Sequence, residues 1–318
     1  MEQTKADLQF VEPFRKKLKQ LNKNTQCVYP GCKKKPIGSH VIAESVLKLL
    51  ADQSKVLTWE HSEDEIIVNA IRGHEWEHVY KQPKSVGIET EVTYPIFCGE
   101  HDNDVFEALE KPGFSYVPHQ VALLGYRALC YKTWNPNLEK KLGLFLSNEN
   151  DETVQRHFRL LSLRTFLEAR QKFQDILATQ DYRQMGWIKR VFHIDPCITC
   201  TDAFIPYHGE EDVINIASGN TIPTLEDVIT FTFFPERSLN ASICIITWFK
   251  DNIRGGRFRE NLDLGNPSEA KVINKIVTKA LGMSLVYASQ SWWDGLTPEQ
   301  QNDMWELRLS EIKSQKDL

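Results

Sequence analysis

The sequence predicts an α+β protein in three parts: a small N-terminal module (residues 1–115), a helical middle (116–184) and a C-terminal mixed α+β domain (185–318). Three observations carry this. Cysteine and histidine stand in pairs at both ends of the first hundred residues, Cys27 with Cys32 and Cys98 with His101. Two later stretches repeat apolar residues every three or four positions, the period of a helix. From Arg190 the pattern changes to short runs rich in β-branched and aromatic residues, as strands require. At 318 residues the chain exceeds one typical domain, so more than one part is expected.

Bulk composition narrows the classes. With 41% hydrophobic and 25% charged residues this is an ordinary globular composition. A net charge of -5 argues against coating of nucleic acid over the whole surface and leaves a local basic patch open. Residues 1–11 hold no apolar leader, and no apolar run approaches the roughly 20 residues of a membrane span. Seven unevenly spaced cysteines do not read as a secreted disulfide framework. A cytoplasmic protein without a membrane segment is expected, its thiols reduced or metal-bound.

The elements follow in chain order. Residues 5–22 read as a helix through Leu8, Val11, Phe14, Leu18 and Leu21, with a basic opposite face. Between Arg15 and Lys35 there are eight Lys or Arg and no Asp or Glu. That strip, with Arg15, Lys16, Lys19, Lys33, Lys34 and Lys35, is either a phosphate-contacting surface or a solvated helix face. Tyr29-Pro30-Gly31 is turn chemistry between two cysteines. A short strand over 36–42 and a helix over 43–52 come next. Residues 55–96 predict two to four strands, and 98–109 a helix whose first turn carries Cys98, His101 and Asp102. After the Lys111-Pro112-Gly113 break, helices are expected at 118–134 and 152–180 as a spacer or a dimer-forming pair. Strands are expected at 191–194, 197–204, 213–217, 228–234 and 241–249, and closing helices at 267–281 and 298–314. Thr297-Pro298-Glu299-Gln300 is a strong start for the last one.

Two Cys around a tight turn, then Cys-x-x-His about 65 residues on, make a four-ligand set suited to tetrahedral zinc. A helix N-terminus also favours the thiolate of a first-turn cysteine. The Ser39-His40-Val41-Ile42 step after the cysteine turn, and Phe97-Cys98-Gly99-Glu100-His101-Asp102 opening a helix, resemble the HNH nucleases. These ββα-metal, or His-Me finger, enzymes are built on a zinc treble clef. The resemblance covers about residues 25–110. It implies a treble-clef module with structural Zn²⁺ on Cys27, Cys32, Cys98 and His101. It further implies His40 as general base and Asp102 as ligand of a catalytic Mg²⁺ or Mn²⁺, with DNA as substrate. Ser39 departs from the family, which has an acidic or histidine ligand there. The segment between the two halves exceeds fifty residues, longer than in compact members, and the family's middle Asn has no fixed counterpart; Asn69 is one candidate.

The chemistry agrees with that implication. Phosphodiester hydrolysis needs a cation at the phosphate and a base for water, and neutral imidazole and carboxylate suit these roles.

Four other motifs stand in the sequence. His74-Glu75-Trp76-Glu77-His78 is a literal H-E-x-x-H, a zinc-peptidase site on a helix. Its β-like surroundings and Pro83 instead set His74 and Glu75 on opposite faces. Cys197-Ile198-Thr199-Cys200 reads as buried strand cysteines rather than a redox pair. Trp292-Trp293 reads as a core or interface anchor, and Arg254–Arg259 as a basic loop for phosphate or for solvent. The leading expectation is a metal-dependent HNH-type endonuclease, an effector against foreign DNA by analogy. The alternative is a non-catalytic zinc module that binds nucleic acid or a partner protein, with a homo-oligomer or partner contact through the later regions.

Overall fold

Strands rich in apolar and β-branched residues, five of the seven after residue 184, build the larger of the two antiparallel sheets among the described residues. A computed structural model describes residues 26–60, 83–89, 92–110, 114–146, 153–193, 197–205, 224–236, 240–250 and 285–306, with side chains described outside 135–146 and 153–162. Within these, β1 (Gly38–His40) and β4 (Thr93–Pro95) form a two-stranded sheet. The other seven strands are β2 (Lys55–Thr58), β3 (Lys84–Gly87), β5 (Met185–Phe192), β6 (Ile198–Phe204), β7 (Ile229–Glu236), β8 (Ala241–Phe249) and β9 (Leu285–Ala288). They lie in the order β3-β2-β9-β6-β7-β8-β5, every pair antiparallel. Helices are α1 (Glu44–Leu50), α2 (Gly99–Glu110), α3 (Pro118–Leu146), α4 (Thr153–Thr179), α5 (Gln290–Asp294) and a last one, α6, over 298–306.

Strand β8 shows why both faces of the sheet are buried. Ile243, Ile245 and Phe249 join the core shared with the helices, while Cys244, Ile246 and Trp248 join a second core with Trp59 and Trp293. Period-two alternation thus serves two apolar faces at once. The threonines between them are satisfied within the sheet: Thr230 and Thr247 hydroxyls are 2.5 Å apart, Thr201 and Thr232 3.0 Å apart. Helix α3 begins with Pro118, which fits a first-turn position because no amide bond is lost there. It packs on α4 and on β6–β8. Gly125 makes that approach possible, since a Cβ there would stand 2.7 Å from the Phe173 ring and 3.0 Å from Thr230 Oγ1.

Most expected elements appear, with three differences. Strand β5 starts at Met185 rather than at 191, because its charged Lys189 and Arg190 interrupt the apolar pattern on a strand that, among the described residues, pairs only with β8. Strand β9 is not among the expected strands. Four residues, Leu285–Ala288, are too few for a period to register, yet they sit between β2 and β6. Through β9 the sheet therefore runs across the divisions expected at 115 and 184, and one core cluster contains Cys27, Phe106, Phe173 and Tyr287. The expected helices at 5–22 and 267–281 and the strand at 213–217 lie outside the described residues.

Candidate metal centre

The cysteine turn forms for local reasons. Pro30 presets the first central position of the turn and Gly31 takes φ +72° at the second, a type II geometry closed by the Cys32 amide on the Tyr29 carbonyl at 3.1 Å. The Cys27 amide donates to the Lys34 carbonyl at 3.0 Å. Two further amides bind this turn to the chain ahead of α2: Val28 to the Ile96 carbonyl (2.9 Å) and Ile37 to the Phe97 carbonyl (2.7 Å). β1 and β4 continue the same contact, pairing Gly38 with Pro95, Ser39 with Tyr94 and His40 with Thr93. Helix α2 then starts at Gly99. Its first bond runs from the Asp102 amide to the Cys98 carbonyl at 2.9 Å, so Cys98 caps the helix and His101 lies in its first turn.

These contacts bring Cys27, Cys32, Cys98 and His101 together, with all four ligand atoms within 4.8 Å of one another. His101 Nδ1 is 3.3 Å from Cys98 Sγ and 3.5 Å from Cys27 Sγ, and Cys32 Sγ is 3.9 Å from Cys98 Sγ. A tetrahedral zinc with its usual bond lengths separates two sulfurs by about 3.8 Å and sulfur from nitrogen by about 3.6 Å. A disulfide needs about 2.05 Å, so Cys32 and Cys98 are not bonded, and all the cysteines are free thiols. The quartet can hold a metal ion such as zinc.

The electrostatics fit a cation. Burial pushes the Cys27 thiol up to about 11, although the amides of Cys98 and Tyr29 point at its sulfur. Burial opposes ionisation of Cys98 too, but the His101 and Glu100 amides and the neighbouring thiols outweigh it and hold Cys98 below its ordinary value. Three thiolates in so small a volume repel one another; a divalent ion removes that cost. Two supporting contacts gave no signal in the sequence. The Tyr29 ring stacks on the His101 ring at 3.9 Å between centroids and 15° between planes, fixing the imidazole. Lys34 pairs with Glu100 at the exposed rim, so one of the expected phosphate-contacting lysines already has a carboxylate partner. Lys33 and Lys35 are exposed, while Arg15, Lys16 and Lys19 lie outside the described residues.

A second group of side chains lies beside the quartet. Ser39 is buried, its hydroxyl donating to the Phe97 carbonyl at 3.5 Å. His40 Nε2 is 2.8 Å from the Ile88 carbonyl. A carbonyl only accepts, so Nε2 carries a hydrogen, and in the neutral ring Nδ1 is then the acceptor. Burial raises the Asp102 carboxyl above its ordinary value, against the opposing pull of Arg127, Ser39 and His40. Its Oδ1 is buried without a hydrogen-bond partner. Arg127, absent from the sequence-derived site, is buried on α3 with Glu110 at 2.8 Å and the Phe106 ring 4.7 Å beneath it. A lone arginine beside an apolar helical stripe carries no sequence signal of that role.

The remaining motifs separate cleanly. Trp293 is buried edge-on to Trp59 at 5.4 Å, a core anchor. Cys200 is buried in β6 with Cys197 just before it, and burial holds the Cys200 thiol well above its ordinary value. His74–His78, Asn69 and Arg254–Arg259 lie outside the described residues. Among the described residues no helix is long and apolar enough to cross a membrane. Comparison with known family models, curated proteins and solved structures found no match to this chain.

Proposed function

We propose that this chain is a metal-dependent endonuclease of HNH type acting on DNA, its N-terminal module a treble clef closed by structural zinc on Cys27, Cys32, Cys98 and His101. One observation carries the reading. The Cys₃His set, its ligand atoms within 4.8 Å of one another, has Asp102 next to its His101 ligand, and His40, 62 positions earlier in the chain, is among the charges that act on that carboxyl.

Each side chain then has a task. His40, with Nε2–H anchored on the Ile88 carbonyl, presents Nδ1 to take a proton from water. The buried, unpartnered Oδ1 of Asp102 is a hard oxygen donor of the kind Mg²⁺ or Mn²⁺ takes. Such an ion, when bound, neutralises charge on the phosphate and on the leaving oxygen. Arg127 and Ser39 favour the ionised carboxylate that this requires. Exposed Lys33 and Lys35 extend a basic rim toward the phosphate backbone. Reduced thiols match a cytoplasmic setting, and a role against foreign DNA rests on analogy with modular nucleases.

A second reading is a zinc module that binds nucleic acid or a partner protein without cutting. Ser39 favours it, because a serine stands where the HNH resemblance would place an acidic or histidine metal ligand. Plasmid DNA incubated with Mg²⁺ or Mn²⁺ separates the two. Wild type should nick or linearise it, and His40→Ala should lower the rate at least about a hundredfold, the usual weight of a general base. Intact plasmid in both metals sinks the nuclease.

A further inference from the structure

Glu60 and three tyrosines form a polar cluster that neither the metal quartet nor Asp102 uses. Glu60 lies just past β2. Its carboxylate accepts hydrogen bonds from the Tyr131 hydroxyl at 2.7 Å and from the Tyr94 hydroxyl. The Tyr94 oxygen is also 3.3 Å from the Tyr287 hydroxyl. The four residues come from the end of β2, from β4, from α3 and from β9, so one knot joins four elements. The Tyr94 ring packs edge-on to Tyr131 at 5.0 Å and to Trp134 at 5.6 Å.

The position of this knot is what gives it meaning. β1 and β4 pair over three residues each, and no ladder joins them to the seven-stranded sheet among the described residues. So short a pair is marginal alone, and its place is set by tertiary contacts. Polar ties between its residues and the larger sheet include Tyr94 on Glu60 and on Tyr287 of β9, and His40 on the carbonyl of Ile88, just past β3. Across the pair Tyr94 faces Ser39 and Thr93 faces His40, so the ties are one register step apart. Hydrogen bonds from hydroxyl to carboxylate are about twice as strong as neutral ones, and a phenol has little freedom to wander.

We propose that Tyr94, through Glu60 and Tyr131, is a positioning residue for His40. It holds the β1–β4 pair at the spacing where His40 Nε2 reaches the Ile88 carbonyl, and so keeps Nδ1 as the acceptor. A hydrogen bond of 2.8 Å is lost by a displacement of about 1 Å, after which either ring nitrogen carries the proton. The inference deepens the reading of His40 as base and takes its functional consequence from it.

The test is nitrogen NMR of the full-length, zinc-loaded chain labelled at histidine, with His40→Ala identifying the signal. Wild-type His40 should show one tautomer, protonated at Nε2. Tyr94→Phe should convert it to a mixture of both tautomers while zinc content stays at the wild-type value. Glu60→Gln keeps the volume but loses the charge, and should shift the signal the same way; it decides the matter should Tyr94→Phe fail to fold. A single Nε2–H tautomer retained in these variants, or no such preference in wild type, overturns the proposal. Where wild type cleaves DNA, Tyr94→Phe should lower kcat about tenfold with KM unchanged, and an unchanged kcat counts against the joint. Where wild type cleaves nothing, the nuclease reading falls while the tautomer pattern still judges the joint.

Discussion

Cys98 does three things at one position: it caps α2, accepts amides from the following turn, and completes the sulfur set. Replacing it should therefore cost more than one ligand. Cys98→Ser is expected to bring bound zinc from one equivalent to near zero after dialysis, read by elemental analysis, whereas Lys34→Ala at the exposed rim should leave the metal content unchanged. Thiols away from the quartet act through pH. Burial pushes Cys130 and Cys244 up from 9.0 to about 12. An unfolded chain loses these protons near the ordinary thiol value while the native chain keeps them, so unfolding releases protons above that pH. Their contribution is thus complete below about pH 8.5 and is lost as pH rises toward about 12, by up to about 1.4 kcal/mol per pH unit for each thiol. Urea unfolding between pH 8 and 10 should show that fall, and Cys244→Ala should flatten it. An equal slope in the variant would remove Cys244 as a cause.

Among the elements, α3 does most to position the rest. Its residues bear on α4, on the sheet, on Asp102 through Arg127, and on Glu60 through Tyr131. Gly125 is where it comes closest to Phe173 and Thr230. Because the ring and the threonine stand on two different elements, an added methyl cannot be relieved by one rotamer change. Gly125→Ala should destabilise the fold by about 1–3 kcal/mol, the usual cost of overpacking, despite alanine's better helix propensity. A denaturant midpoint equal to or above wild type would contradict the close approach.

At the scale of the molecule, the metal quartet and the large sheet share a core. Cys27 and Cys98 belong to the same buried cluster as Phe249 and Tyr287, and β2 carries the N-terminal part into the sheet beside β9. Removing zinc should therefore be felt throughout rather than locally. Chelation is expected to lower one common melting transition by at least about 3 °C, as loss of about 2.7 kcal/mol of ligand stabilisation implies. Scanning calorimetry that shows a separate low-temperature transition, with the main one unmoved, would instead mean two independent units.

Some of this was fixed within short stretches of chain. The Cys/His quartet was legible because its parts are local, a Pro-Gly turn between two cysteines and a Cys-x-x-His at a helix start. Helices α3 and α4 and strands β6 to β8 were legible because they are long enough for a period to register. His40 and Asp102 were marked by resemblance, but the placement of His40 relative to the start of α2 depends on β1 pairing with β4 across the intervening segment. Tertiary structure alone decided the rest. β9 is too short to carry a pattern, yet it joins β2 of the N-terminal part to β6 in one sheet. Tyr29, Arg127, and the knot of Glu60 with Tyr94, Tyr131 and Tyr287 each depend on side chains meeting from separate elements. Periodicity reports which face of an element is buried; it holds no information about which distant residue lies opposite.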